Sequence, residues 1–249
     1  MFIKQVMKDS VLYGIGNVAV KLVGFILIPL YTDAEYFSTA DYGLMGLLEV
    51  TSQILIAVMG LSLYSGLIRW YWDAEYRDKQ KTIFFTTLLF TILTSLCIGS
   101  VLWLNVGELS ALLVQQEGYS LGGELPYILQ LLILTSMLGA VVEVPQNLLR
   151  LQRKPIYYSL TNIVRLFATL VLTIYFTISL HRGVSGVYEA QLVGIVIQLL
   201  MVLPLVIKNS SCRVDRKCTI QLLAYSYPLV FPAIVGSLLT VFDRYIINH

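Results

Sequence analysis

The sequence predicts an all-α, polytopic membrane helix bundle of about seven transmembrane helices. Three observations carry that expectation. Apolar residues make up 57% of the chain and charged ones only 13%, and the mean hydropathy of +0.77 lies far outside the range of soluble domains. The apolar stretches run on for roughly 20 residues, long enough to cross about 30 Å of hydrocarbon at about 1.5 Å per residue. Lysine and arginine gather in alternate short loops.

Taken in order, the spans are expected at 11–31, 43–67, 83–104, 126–149, 156–180, 184–207 and 222–247. The joints carry helix breakers and charge: Asp33 to Asp41, the run Arg77-Asp78-Lys79-Gln80-Lys81, Gly122-Gly123 before Pro126, Arg153-Lys154-Pro155, and His181-Arg182-Gly183. A short cytoplasmic N-terminus (1–10) thus leads into a six-helix unit (11–207), then a basic cytoplasmic loop (208–221) and a seventh helix (222–249). With the N-terminus in the cytoplasm, Lys4, Lys8, Arg69, Arg77, Lys79, Lys81, Arg150, Arg153, Lys154, Lys208, Arg213, Arg216 and Lys217 fall inside, and Arg182 falls outside. The outer loops are acidic, with Asp33, Glu35, Asp41, Glu108, Glu117 and Glu124. The basic loops therefore report topology, and no nucleic-acid partner is expected.

The first span is too long for a signal-peptide core and lacks a small-x-small cleavage site. Cys97, Cys212 and Cys218 suggest neither a disulfide framework nor a zinc site. The usual catalytic and nucleotide-binding signatures are missing, so neither enzyme activity nor a cofactor is expected.

Polar residues inside the spans then become the informative signal, because a charge at bilayer depth is costly unless it faces protein or water. In the first span Gly14, Asn17, Lys21 and Gly24 share a face, with Lys21 in mid-bilayer; in the second, Glu49, Gln53, Gly60 and Tyr64 recur. The third offers only Thr87, Thr91 and Thr94 and is expected to be peripheral. The fourth carries Ser136, Gly139, Glu143, Gln146 and Arg150, with a kink expected at Pro145; the fifth carries Asn162, Arg165, Thr169 and Thr173. Depth and antiparallel neighbours make Glu143 and Arg165 a candidate structural pair, while Glu49 and the Asp243-Arg244 pair belong to the outer third and are structural or coupling charges. Lys21, Asn17, Arg165, Asn162 and Arg150 are the candidate substrate-binding residues, running from mid-membrane to the inner mouth. Tyr157, Tyr158 and Gln198 add aromatic and amide groups near them.

The stretches PLYT at 29–32 and ADYG at 40–43, RWYWDAEYRDKQKTIFFTT after the second span, LRLQRKPIYYS between the fourth and fifth, and YPLVFPAIVGSLLTVFDRYII at 227–247 recur in order along nearly the whole chain. Together they resemble the polysaccharide-biosynthesis transporters of the O-antigen flippase type, within the multidrug/oligosaccharidyl-lipid/polysaccharide exporter superfamily. The resemblance implies two six-helix lobes around a central cavity, of which this chain would hold the N-terminal lobe and the first helix of the second. It implies a flippase in the cytoplasmic (inner) membrane that moves a polyprenyl-diphosphate-linked oligosaccharide for polysaccharide or lipopolysaccharide export. Its partners would be that lipid-linked glycan, the bilayer, and other polysaccharide assembly proteins. A multidrug or cation antiporter of the same superfamily is the alternative, and a membrane-embedded glycan polymerase or acyltransferase a more distant one.

Overall fold

A computed structural model describes residues 27–33, 35–117, 123–211, 213–236 and 238. Among them, six helices are long and apolar enough to cross a membrane, and no strand occurs. Residues 27–31, the described end of the first expected span, are helical.

The described helices are α1 (Thr39–Gly60), α2 (Leu63–Trp70), α3 (Gln80–Leu104), α4 (Val106–Glu117), α5 (Leu125–Leu151), α6 (Pro155–Ile174), α7 (Gly183–Asn209) and α8 (Arg216–Ser226). Short 3-10 turns at Ala74–Lys79 and Tyr227–Leu229 and a wide π-turn at Tyr175–Ser179 extend α3, α8 and α6. Local chemistry sets several starts. Asp41 of ADYG and Ser38 form a reciprocal capping box: the Asp41 N–H donates to Ser38 Oγ (3.1 Å), and the Ser38 N–H donates to Asp41 Oδ2 (2.9 Å). Pro155 occupies the first turn of α6, where its missing N–H costs nothing. Asp215 caps α8 by accepting from the N–H of Lys217 at 3.0 Å.

The second expected span is broken. Leu61 (φ 45°) and Ser62 (φ 49°) are both left-handed, which splits it into α1 and α2. α5 is the central helix: 61% of its most apolar stretch is buried inside the protein, against 22–33% for the other five. It packs on α1, α3 and α7 and passes through Pro145 without ending. α3 is not peripheral, because Thr86, Thr87, Thr91 and Ser95 are buried and Thr94 Oγ1 donates across to the Met59 carbonyl at 2.7 Å. The long outer connection expected at 105–125 contains α4. The basic loop expected at 208–221 is helical at both ends, through Asn209 and from Arg216, so the seventh helix starts six residues early.

Among the described residues two apolar cores result. One, around Leu44, Leu48, Ile128, Leu132 and Tyr188, holds the end where α1, α5 and α7 meet; the other, around Leu67, Phe84, Leu148, Leu205 and Leu222, holds the lysine- and arginine-rich end. α2 belongs to the second and rests on α8, with Gly66 against Leu222 and Trp70 edge-on to Tyr225 at 5.2 Å between ring centroids.

Candidate functional site

Side chains from α5, α6 and α7 meet in a polar chain inside this apolar bundle. The register between α6 and α7 comes first. A methyl group on Gly194 would collide with Thr169 Oγ1 and lie 3.3 Å from the Arg165 carbonyl, so the missing side chain lets the two helices approach there. One turn along, Gln198 on α7 faces Arg165 on α6; a further turn on, the Tyr157 hydroxyl donates to the Met201 carbonyl. α6 meets α5 across the tight joint at 152–154, which brings Thr161 and Asn162 beside Gln146.

The hydrogen bonds run in one direction. Arg165 Nη1 donates to Gln198 Oε1 at 3.1 Å, Gln198 Nε2 donates to Asn162 Oδ1 at 3.1 Å, and Asn162 Nδ2 reaches Gln146 Oε1 at 3.5 Å and the Tyr158 carbonyl at 2.8 Å. Gln146 Nε2 donates to Thr161 Oγ1 at 2.9 Å, and Thr161 Oγ1 donates to the Tyr158 carbonyl at 2.9 Å. Gln198, Gln146 and Thr161 are buried, while Arg165 and Asn162 are partly so. At about 1.5 Å per residue, Arg165 lies about 15 Å from the start of α6 and Gln146 about 8 Å from the end of α5, so the chain climbs from the basic end to mid-helix depth.

Glu143 and Arg165 do not form the expected pair. Among the described residues the guanidinium's partner is an amide, Gln198, and neither residue is in an ion pair. Arg150, two turns below Glu143 on α5, is exposed and lies over the Tyr158 ring, 4.6 Å from its centroid, while also donating to the Tyr158 hydroxyl. Glu49 sits on the exposed side of α1, within electrostatic reach of Tyr31 and Tyr188. Lys21, Asn17, Asp243 and Arg244 lie outside the described residues.

Of the candidate binding residues, then, the structure brings Arg165 and Asn162 into one cluster and leaves Arg150 at its mouth. Gln146 and Thr161 join them, and Gln198 proves to be the link between Arg165 and Asn162. Its sequence signal was slight: one amide between Val196-Ile197 and Leu199-Leu200, four residues after a glycine. No group of histidine, cysteine or carboxylate side chains among the described residues is placed to hold a metal ion.

No protein-family profile and no curated protein sequence matches the chain. Solved structures do. An outward-facing multidrug resistance MATE family transporter of the MOP superfamily superposes with a TM-score of 0.73 at 18% identity, over 98% of this chain and 55% of that one. The chain has the fold of a little over half of that transporter. A MOP superfamily transporter from Pyrococcus furiosus, described as having a binding pocket of reversed polarity that suggests a different function, gives 0.73 at 18% identity over the same shares. The Vibrio cholerae MATE transporter VcmN gives 0.65 at 15% identity, over 94% of this chain and 53% of that one. The chain therefore spans a little over half the length of each.

Proposed function

We propose that this chain forms part of a multi-pass membrane transporter that carries its substrate past the polar chain on α5, α6 and α7. The observation that carries the reading is Arg165 held at mid-helix depth by a neutral amide, Gln198, which a second amide, Asn162, holds in turn, with no ion pair to either among the described residues. Ionisable groups at such depth mark substrate or ion pathways, because a merely structural site has a cheaper apolar solution. The MATE/MOP fold supports the same reading.

Two substrate classes have different support. Export of drugs or organic cations is favoured by the neighbours, several of which are MATE transporters and one of which is described as a multidrug resistance transporter. Movement of a polyprenyl-diphosphate-linked oligosaccharide is favoured by the site's sign, since Arg165 and, nearer the basic end, Arg150 offer cations to a diphosphate where water is scarce. The protein reconstituted in vesicles decides between them. Flux of a lipophilic cation with no movement of a prenyl diphosphate supports the first, the converse supports the second, and flux of neither overturns the transporter reading.

A further inference from the structure

We infer that Gln198 sets the charge of the candidate site: by supplying a neutral oxygen where a carboxylate would also fit, it keeps the Arg165 cation uncancelled and selects for an anionic substrate. The inference rests on the transporter reading and deepens it. Arg165 has donors only, so whatever faces Nη1 must accept, and at position 198 a glutamate would present an oxygen at the same place as the glutamine. The two side chains are close in size and differ by one full charge. Glutamine's Nε2 adds a second role, donating to Asn162 Oδ1 and so fixing the amide that Asn162 turns toward Gln146. Because Gln198 is 1% exposed and 3.1 Å from the guanidinium, a carboxylate in its place would act on Arg165 with little solvent screening. Gln198 is thus a specificity-determining residue that works through Arg165 without needing to touch the substrate.

The test is a charge series at positions 165 and 198. Gln198→Glu and Arg165→Gln each remove one positive charge from the wild-type sum, and the double substitution removes two. Binding of two probes, farnesyl diphosphate and tetraphenylphosphonium, is measured by calorimetry on the purified protein at fixed ionic strength. Affinity for the diphosphate is expected to fall at least tenfold at the first step and again at the second, with the phosphonium rising in the opposite order. Because three variants span the series, the order remains readable if one of them fails to accumulate. Equal diphosphate affinity in wild type and Gln198→Glu overturns the role of Gln198 while leaving the transporter reading intact. Wild-type protein that binds the phosphonium and not the diphosphate overturns anion selection at this site. Binding of neither probe tells against the transporter reading itself.

Discussion

Arg165 carries five N–H donors and no acceptor, and that asymmetry orients the amides in series with it: Gln198 must turn its oxygen to the arginine, so its nitrogen faces Asn162, whose nitrogen in turn faces Gln146. Removing a link should cost more than one hydrogen bond, because the groups on either side are left unsatisfied where water is excluded. Asn162→Leu strips Gln198 Nε2 of its acceptor and is expected to destabilise the bundle by about 1–2 kcal/mol, within the range found for hydrogen bonds between membrane helices. Thr161→Val removes the acceptor of Gln146 Nε2 and a donor to the Tyr158 carbonyl, which Asn162 Nδ2 still reaches, and at the end of the chain it should cost about half as much. Asn162→Asp keeps an oxygen for Gln198 and should recover part of the loss. Unfolding in mixed micelles gives all three values; equal costs for Asn162→Leu and Thr161→Val would mean that the chain does not act as a unit. At this scale the sequence was legible in part. Spacing placed Asn162 and Arg165 on one face and Glu143 and Gln146 on another, but it carried no information on which side chain across the gap was the partner. Depth alone favoured Glu143 for Arg165; the Gly194 contact instead sets the α6–α7 register that delivers Gln198.

Hydropathy sees length and misses breaks, which is why the elements between chain ends were legible as spans while the division of the second span was not. Neither Leu61 nor Ser62 is a usual left-handed residue, and each pays for that conformation locally. What offsets the strain is packing on either side: α1 lies on α5, with Ser52 Oγ 3.0 Å from Ser136 Oγ, while α2 rests on α8. Glycine adopts this conformation freely, so Ser62→Gly is expected to leave stability unchanged or raise it by up to about 1 kcal/mol. Ser62→Val should lower it by about 1–3 kcal/mol, since a β-branched residue resists positive φ and loses its rotamer freedom. Thermal unfolding of the two variants reads the difference, and a stabilising valine would mean that the span runs unbroken. Close approach gives a second expectation. Gly194→Ala places a methyl group against Thr169 and the Arg165 carbonyl, and should cost about 1–3 kcal/mol as α7 is pushed from α6. Gly107→Ala, with open space around it, should leave stability unchanged or raise it by up to about 1 kcal/mol, the helix-propensity difference favouring alanine.

At the scale of the whole molecule, the placement of lysine and arginine predicted which loops share a side of the membrane, and the contacts supply a reason independent of charge counting. Gln152 Nε2 donates to Asn209 Oδ1 at 2.8 Å and to the Tyr71 hydroxyl at 3.2 Å, Thr82 and Ser211 hydroxyls lie 3.1 Å apart, and Lys79 Nζ donates to Asp215 Oδ2 at 2.7 Å. These contacts gather the joints near 71–82, 152–154 and 209–215 at one end, while Arg182, Glu189 and Tyr127 tie the other. If the basic end is cytoplasmic, cysteines placed at Arg77, Lys154 or Lys217 in a chain freed of its own cysteines should resist an impermeant thiol reagent applied to intact cells, and a cysteine at His181 should react. Reaction at any of the first three reverses the orientation. The Lys79–Asp215 bond adds a pH dependence of fixed sign. The Lys79 donor, followed by the Cys218 N–H, holds the Asp215 carboxyl below its usual range, so the folded form binds its proton less readily than the unfolded one. Its contribution is therefore complete above the ordinary aspartate pKa and fades as pH falls through the lowered value, never as pH rises through neutrality. Amide exchange across 213–218, corrected for intrinsic rate, should stay slow from neutral pH downward and quicken only in that acidic window. Asp215→Asn keeps an oxygen for the α8 cap and removes the charge, so it should quicken exchange at neutral pH and flatten the pH profile. A profile identical to that of wild type would mean that the cap, and not the ion pair, holds the start of α8 in place.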